Sequence, residues 1–558
     1  MFDLRKFKYL FFYLSRIYQE HAPELNVLDS AIGDGDHGDT MARGFRAAAE
    51  AALGEHDQID ELFEAVSNNL AEQTGGAIGP LLASFFAEGT VAFADQREIH
   101  TAEMATFFQR GYDAVSAVGG AQPGDKTLLD ALQPAVKALA DHADLPLHSA
   151  LNVAADAAEK GAAATQGMTA SEGRARFLGE RTKGHQDPGA TSFAMLVRSF
   201  ADVAAGMEIA RQDYEITPPQ EKIHPTGKFI NDPGDMILED NRGLALAYPN
   251  LVHLTDSGIL VRKYPKDSGK IGLAIGHGGG HTPSMGGFVG RGLLDADVYG
   301  PLFTCASGLK IAEAIALADR GEGVALLVSN HSGDVLNARM AQRRAEQAGH
   351  TVEFVLLSDD VATAPREDYL RRRGLGGMLF ALKVGGGAAE AGRSLTEVAS
   401  LMRNTNERTA TLAVSSRAPQ HPVTGKKLFD LPEGQIEVGT GVHGEIGVYR
   451  GDLMPAGDLV KLMLDKLVPD LANFLNDRVW VFLNGSGGTS QMELHILYKS
   501  VCQQLTAKGL QVADGVVGSY FTTLEMGGFS LSLCAIQDDA VPWWEAAASG
   551  PAFRWPVE

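Results

Sequence analysis

The first part of the chain has the apolar spacing of helices. In alanine-rich runs such as residues 130–142 and 151–164, apolar residues recur every three or four positions, a period that places them on one helix face. Glycine-rich breaks, for example at 33–38 and 187–189, separate these runs and leave loops at helix ends. The pattern therefore predicts an N-terminal all-α bundle or barrel over residues 1–210, with functional loops at one end.

From residue 228 the pattern changes to short apolar strands, each followed by a Gly or Asp loop and then a helical segment. This alternation is typical of α/β domains, whose ligands bind at the carboxyl ends of strands. We predict a polar, proline-containing linker at 211–227 and an α/β domain over 228–558 with subdomains of about 228–400 and 401–558. The predicted strands include 271–275, 324–328, 352–357, 479–483 and 530–536.

Composition narrows the choice of partners and compartment. The net charge of −22 argues against nucleic acid or an anionic membrane as the main partner. The cysteines Cys305, Cys502 and Cys534 lie far apart, which argues against a disulfide framework and fits a reducing, cytoplasmic environment. The first residues mix charges with apolar side chains, so we expect an amphipathic helix there and not a signal peptide. No uninterrupted apolar stretch in the sequence is long enough to span a bilayer.

Three carboxylates, Asp29, Asp34 and Asp36, occur in one glycine-containing segment of the helical half. Converging carboxylates repel each other unless a cation lies among them, and Mg²⁺ takes oxygen ligands together with substrate phosphates. The segment therefore indicates a metal site, although a solvated acidic turn explains the same motif equally well. Further glycine loops at 75–80, 124–127 and 173–176 are candidates for phosphate contacts, or are ordinary turns.

Two histidine-containing glycine loops and one aspartate form the candidate chemistry of the α/β half. His277 and His281 lie in the loop GHGGGHTP, which is neither a dinucleotide-binding fingerprint nor a Walker loop. Asp334 follows the strand 324–328 and is either a helix cap or a base for a hydroxyl. His443 lies in a glycine-rich turn; it either fills that turn or serves as a nucleophile.

The motifs IGDGDHG, PGDKTLLDAL, GMTASEGRARFLGER and DPGA resemble the nucleotide-binding L domain of dihydroxyacetone kinases over the first 205 residues. The resemblance implies that Asp29, Asp34 and Asp36 hold Mg²⁺ ions on the phosphates of ATP. It also implies a set of residues that line the nucleotide: His37, Gly76, Ala77, Thr127, Arg174, Asp187 and Gly189. Ile78 departs from the family, which has a small hydroxyl residue there.

The motifs PSMGGFVGRGLL, SGDVLNA, EVGTGVHGE, NGSGGTSQMEL and LEMGGFSLSL resemble the ketose-binding K domain of the same family over residues 228–558. The resemblance implies that His443 forms a hemiaminal with the substrate carbonyl, that Asp334 is the base for the terminal hydroxyl, and that His281 assists. It also implies a small ketose substrate, a homodimer, and substrate contacts from Gly278, Gly279, His277 and Ser329.

The chain departs from this family in the substrate loop. Where the family has GGGSGHEP, this chain has GHGGGHTP, which differs at His277, Gly279 and Thr282. Ser329 stands where the family has Lys. Loss of a Lys and a Ser removes contacts and makes room for another hydroxymethyl group, so we predict a four-carbon ketose such as erythrulose, with dihydroxyacetone second. Two alternatives stay open. One is a non-catalytic ketose-binding regulator, and the other is a kinase that re-phosphorylates bound ADP from a phosphotransferase protein.

Overall fold

The computed structural model describes residues 1–33, 35–207, 228–422, 425–445 and 447–556, except for the side chain of Arg174. The chain divides into two compact units, Met1–Gln220 and Glu221–Glu558. The predicted linker at 211–227 and the predicted metal ligand Asp34 lie outside the described residues. The predicted order of a helical domain followed by an α/β domain is confirmed.

The first unit is built of helices that follow the predicted apolar periods. Asp3 starts the first helix, because its carboxylate accepts the Lys6 N–H at 2.8 Å. A two-residue pair, β1 (Phe2–Asp3) with β2 (Glu98–Ile99), joins the ends of two helices. The helices are α1 (Leu4–Ser30), α2 (His37–Ala52), α3 (Ile59–Gln73), α4 (Ile78–Ala87), α5 (Gly89–Ala92), α6 (Thr101–Gly119), α7 (Leu129–Asp141), α8 (Leu147–Ala164) and α9 (Pro188–Ala204), with a 3₁₀ segment at Arg174–Thr182.

Phenylalanine fills the core of the first unit. Phe7 meets Phe63 edge to face at 5.0 Å between ring centroids, and Phe63 meets Phe107 at 5.4 Å. These rings are fully buried, and edge-to-face pairs add to the stabilisation from burial alone. The packed rings fix the helix ends and therefore the loops that connect them.

The second unit contains two six-stranded sheets. The first has the order β3-β4-β6-β5-β7-β8, with parallel pairing among β6, β5, β7 and β8. Its strands are β3 (Val252–Leu254), β4 (Ile259–Arg262), β5 (Gly272–Gly279), β6 (Ala296–Leu302), β7 (Val324–Ser329) and β8 (Val352–Leu357). The helices of this part are α10 (Met236–Ala247), α11 (Gly308–Ala318), α12 (Ser332–Gln347), α13 (Met378–Glu390) and α14 (Leu395–Glu407).

The second sheet has the order β11-β10-β9-β14-β12-β13 and is antiparallel except for the β12–β13 pair. Its strands are β9 (Thr409–Arg417), β10 (Gln435–Val438), β11 (Tyr449–Asp452), β12 (Arg478–Gly485), β13 (Gln511–Gly518) and β14 (Gly527–Ala535). Helices α15 (Ala456–Asp470), α16 (Gln491–Ala507) and α17 (Val541–Glu545) accompany it, and a final short pair joins β15 (Ala548–Ser549) to β16 (Arg554–Trp555).

The predicted strand at 271–275 is too short. Strand β5 continues to Gly279, because His277 pairs with Tyr299 and Gly279 with Leu302 across a register shift. Glycine is required in this stretch, since a Cβ added at Gly278 would lie 2.7 Å from the Phe303 carbonyl carbon. His277 is therefore a sheet residue whose direction is fixed by the pleat, not a loop residue.

Among the described residues, we find no helix with the length and apolar character needed to cross a bilayer.

Candidate active site

Asp29 anchors the carboxylate loop between α1 and α2. Its Oδ2 accepts the backbone N–H groups of Gly35 at 2.8 Å and Asp36 at 3.1 Å, so the loop wraps around one carboxylate. Gly33 is required here, because an added Cβ would lie 2.1 Å from Asp29 Oδ1. The structure thus places Asp29 and Asp36 on one tight loop, while Asp34, the third predicted ligand, is not described.

A second buried carboxylate, Asp187, faces this loop. Asp187 caps α9 by accepting the Ala190 N–H at 2.7 Å. Burial raises its pKa to about 7, with the charges of Asp29 and Asp130 acting in the same direction and Lys126 opposing them. Asp187 thus has two carboxylates and one lysine as charged neighbours, an excess of negative charge that a divalent cation would offset. The donor set therefore fits Mg²⁺ with a phosphate ligand.

Lys126 fixes the remaining loops of the first unit. Its buried ammonium donates to the carbonyls of Thr165 at 2.7 Å, Thr182 at 3.0 Å and His185 at 2.5 Å. Because these carbonyls belong to different loops, one buried ammonium links the loops to each other. The loops that carry the predicted nucleotide residues are thereby held to one another.

The predicted nucleotide residues lie at helix ends of the first unit. His37 starts α2, is partly buried, and contacts Ser192 Oγ through Nε2 at 2.9 Å; desolvation lowers its pKa against the raising effect of Asp29. Gly76 and Ala77 immediately precede α4, whose N-terminal end carries partial positive charge. Thr127 donates its backbone N–H to Asp130 at 2.8 Å, and Gly189 lies in the first turn of α9.

A cavity of about 50 Å³ lies at the carboxyl ends of β5 and β7 in the second unit. A water needs roughly 10–15 Å³ on this measure, so the cavity has the size of a small polar molecule. Phe303, Met285 and Met378 are among its apolar wall residues. The polar side chains that line it are His277, His281, Ser284, Ser329, His331, Asp334 and His443.

His281 and His443 face each other across this cavity. Their Nε2 atoms are 3.2 Å apart, and His281 Nδ1 lies 2.7 Å from the Thr522 carbonyl. A carbonyl only accepts, so Nδ1 of His281 carries a proton. Burial and the nearby charge of His443 lower the pKa of His281 well below its usual value. His281 is thus a neutral imidazole whose Nε2 accepts a proton from His443.

Glu445 orients His443 from the other side. Its Oε1 is 3.5 Å from His443 Nδ1, and its Oε2 accepts the His443 backbone N–H at 2.9 Å. Although burial opposes ionisation, the hydrogen bond and charge of His443 and the charge of Arg373 hold the pKa of Glu445 well below its usual value. A carboxylate near Nδ1 stabilises a proton on that nitrogen, so Nε2 becomes the nucleophilic atom once it has passed its own proton to His281.

His277 forms a buried pair with Asp297 beneath the cavity. Its Nε2 is 3.1 Å from Asp297 Oδ1, and its Nδ1 donates to the Gly278 carbonyl at 2.8 Å. Burial alone would lower the pKa of His277, but the charge and hydrogen bond of Asp297 raise it above its usual value. The Tyr299 ring packs against the imidazole at 4.5 Å. His277 is therefore a fixed wall, not a mobile ligand.

The four positions where the chain departs from its family divide into two pairs. His277 and Ser329 line the cavity. Gly279 and Thr282 instead meet helix α10: a Cβ added at Gly279 would lie 2.4 Å from Ile237, and Thr282 donates to Asp240 at 2.5 Å. Gly279, a predicted substrate contact, and Thr282 therefore lie against α10, and neither is among the residues that line the cavity.

Several site residues were missed by sequence reasoning. Glu445 stands within the motif EVGTGVHGE and His331 directly precedes SGDVLNA, so their nearness to His443 and Asp334 in sequence was the available signal. Asp297 gave no such signal, because its carboxylate is buried in the middle of β6 and pairs with a residue on a neighbouring strand.

Comparison with known proteins gives the family. Residues 242–552 match the Dak1 domain and residues 31–202 the DAK2 domain. The chain is 35% identical over 312 residues to the dihydroxyacetone-binding subunit DhaK of a PTS-dependent dihydroxyacetone kinase from Listeria innocua, covering 56% of this chain and 95% of that one. It is 33% identical over 330 residues to L-erythrulose kinase of Pectobacterium atrosepticum, covering 58% of this chain and 56% of the relative.

Solved structures agree with this assignment. The dihydroxyacetone kinase of C. freundii, in complex with AMP-PNP and Mg²⁺, matches with a TM-score of 0.53 and 28% identity, covering 59% of this chain and 61% of that one. The two units, one with a carboxylate loop and one with a histidine-lined cavity, define an ATP-dependent kinase. The chain belongs to the dihydroxyacetone kinase family and carries both of its domains fused in one chain.

Proposed function

We propose that the protein transfers the γ-phosphoryl group of ATP to a terminal hydroxyl of a short ketose, erythrulose first and dihydroxyacetone second. The observation that carries this proposal is the contact between His281 and His443 in a cavity that Asp334 also lines. A nucleophile, a proton carrier and a carboxylate base are the groups needed to hold a ketone and activate its hydroxyl.

The ketose would bind covalently through His443. The Nε2 proton of His443 passes to His281, Nε2 forms a bond to the carbonyl carbon, and the C=O π electrons move to oxygen. His281 then returns the proton to that oxygen, so that a hemiaminal hydroxyl results. The ring keeps its Nδ1 proton, and Glu445 at 3.5 Å offsets the positive charge. A polyol such as glycerol has no carbonyl and cannot be held in this way.

Asp334 would accept the proton of the terminal hydroxyl as that oxygen attacks phosphorus. It lies in the first turn of α12 and lines the same cavity as His443. In the first unit, Asp29, Asp34 and Asp36 would hold Mg²⁺, and His37, Gly76, Ala77, Thr127, Arg174, Asp187 and Gly189 would line the nucleotide. When bound, Mg²⁺ neutralises the charge that develops on the transferring phosphoryl group.

The size of the cavity supports a substrate of three or four carbons. About 50 Å³ holds three or four waters, and a covalent bond to His443 lets the ligand use that space fully. The small Ser329 side chain extends the cavity, while His277 closes it. We place erythrulose first because two relatives are named L-erythrulose kinase and L-erythrulose 1-kinase.

Coupled ADP release tests the proposal over L-erythrulose, D-erythrulose, dihydroxyacetone and glycerol. We expect turnover with the ketoses, the highest kcat/KM with an erythrulose, and none with glycerol. Asp334→Asn should lower kcat by about 10²-fold or more with each ketose. A much higher kcat/KM for dihydroxyacetone than for either erythrulose would overturn the four-carbon assignment. An unchanged rate of ADP release in Asp334→Asn would show that Asp334 is not the base that accepts the hydroxyl proton.

A ketose-binding regulator is the second candidate. A dihydroxyacetone kinase operon co-activator, DhaQ, matches with a TM-score of 0.54 and 29% identity, covering 97% of that chain. The second unit alone therefore does not distinguish a ketose kinase from a ketose-binding regulator. The carboxylates of the first unit support the kinase, because a regulator has no need of Mg-ATP. Ketose binding without any ADP release would favour the regulator.

Three further properties belong to the proposal: a homodimer, a cytoplasmic location, and domain limits of 1–210 and 228–558 around the linker 211–227. The resemblance to dihydroxyacetone kinases supports the dimer and the limits, and scattered cysteines support the location.

A further inference from the structure

Two buried histidines and a partly buried carboxylate beside the cavity have the geometry of a metal site. Within the described part of the chain, His331, His443 and Glu445 each offer one ligand atom, and these atoms all lie within 4.8 Å of one another. The separation of 3.5 Å between His443 Nδ1 and Glu445 Oε1 is close to the 3.4 Å or so between two ligands of a tetrahedral Zn²⁺ with bonds of about 2.0–2.1 Å.

The surroundings of these side chains also suit a metal. His331 Nε2 lies 3.1 Å from the Gly374 carbonyl, which orients the ring and leaves the lone pair on the other nitrogen. Glu445 receives the His443 backbone N–H, which fixes the carboxylate. His281 contacts the opposite nitrogen of the His443 ring, Nε2, at 3.2 Å and lies outside this group. Two imidazoles and a carboxylate are a ligand set that Zn²⁺ and Co²⁺ favour and Mg²⁺ does not.

Charge balance supports a divalent cation at this position. Glu445 brings a carboxylate to the group, and Asp360 pairs with the Arg373 guanidinium at 2.8 Å, which satisfies much of that cation. Arg373 lies 3.9 Å from Glu445, at the edge of a direct ion pair. The carboxylate therefore has room for a second, closer cation on the side of His331 and His443.

We propose that His331, His443 and Glu445 bind a borderline transition-metal cation of the Zn²⁺ type, in competition with the ketose. The competition rests on the proposed function, because the metal would occupy His443 Nδ1 and Glu445 Oε1, the two atoms between which the hemiaminal keeps its ring proton. The metal site itself does not depend on turnover. A cell exposed to excess Zn²⁺ would then lose the kinase activity through the ketose site and not through the Mg-ATP site.

Titration of the full chain with Co²⁺, in the absence of nucleotide, tests the proposal by visible absorption. We expect one Co²⁺ per chain with the intense bands of a four-coordinate ion, displacement by Zn²⁺, and an apparent affinity that falls as L-erythrulose or dihydroxyacetone is added. His331→Asn and Glu445→Gln should each weaken Co²⁺ binding about 10-fold or more. His253→Asn, an exposed histidine on β3, should leave it unchanged.

Tryptophan fluorescence checks that each variant is folded, and the ketose titration of the unaltered protein needs no variant. Absence of the four-coordinate bands, or equal affinity in His331→Asn and His253→Asn, would overturn the metal site. Co²⁺ affinity that stays the same at saturating ketose would overturn the competition alone. ADP release that fails while Co²⁺ binding persists would count against the proposed function and not against the site.

Discussion

Asp297→Asn removes the buried carboxylate that lies 3.1 Å from His277 Nε2 while it preserves the side-chain shape. Asp297 is fully buried and His277 nearly so. Since Asp297 raises the pKa of His277 above its usual value, the pair stabilises the fold fully below about pH 6.5 and this stabilisation is lost as the pH rises through the folded-state pKa. The variant should therefore be destabilised most at acid pH.

The size of this effect follows from the two limits. At a pH above the folded-state pKa of His277 the imidazole is neutral in both proteins, and the change costs about 1 kcal/mol or less. At about pH 5.5 the variant must either bury an unpaired imidazolium or keep it neutral, which adds about 1.4 kcal/mol for each pH unit below the unfolded pKa. The free energy of unfolding should therefore fall by about 2–3 kcal/mol at the lower pH.

Urea unfolding followed by tryptophan emission measures this difference. The four tryptophans, Trp480, Trp543, Trp544 and Trp555, all belong to the second unit, so the signal reports that unit only. His277→Asn and the double variant complete a cycle that isolates the pair from other effects of each change. Equal destabilisation of Asp297→Asn at both pH values, within about 0.5 kcal/mol, would refute the ion pair.

Three other predictions concern packing, the loops linked by Lys126 and the orientation of the nucleophile. Gly279→Ala should lower Tm by overpacking against Ile237, at a cost of about 1–3 kcal/mol, whereas Gly457→Ala, where an added Cβ meets nothing within 4 Å, should not. Lys126→Met should weaken ATP binding in a nucleotide titration, because the loops lose their shared donor and each buried carbonyl left without it costs about 1–3 kcal/mol. An unchanged ATP affinity would show that Lys126 does not hold the nucleotide loops together. Glu445→Gln should lower kcat/KM for ketoses about 10-fold or more in the ADP assay, and an unchanged value would show that the carboxylate does not orient the ring.

The periodicity of apolar residues predicted most of the fold. The helical run at 151–164 lies within α8, and the strand at 352–357 coincides with β8. Local pattern failed at β5, where glycines and a histidine continue the strand. The length of β5 is set by its pairing with β6, which lies some twenty residues further along the chain. Local residue propensities do not contain this information.

In the candidate site, too, local sequence pattern predicted some features and missed those that depend on distant residues. His281, Asp334 and His443 stand out in sequence because each lies in a glycine-rich turn or after a strand, and the structure brings all three to one cavity. The partners that set their chemistry are distant in sequence: Thr522 fixes His281 from 241 residues away. Thr282 likewise takes its role from Asp240 on α10, so a reading of the loop by itself assigned it to the pocket.

The covalent hold of His443 on the ketose is the centre of the account, and ¹³C NMR of a ketose labelled at the carbonyl carbon tests it most directly. We predict that the bound ketose loses its ketone signal and gains one from a tetrahedral carbon in the unaltered protein. In His443→Asn any bound ketose should keep the ketone signal. A ketone signal that persists at saturating binding to the unaltered protein would contradict the account.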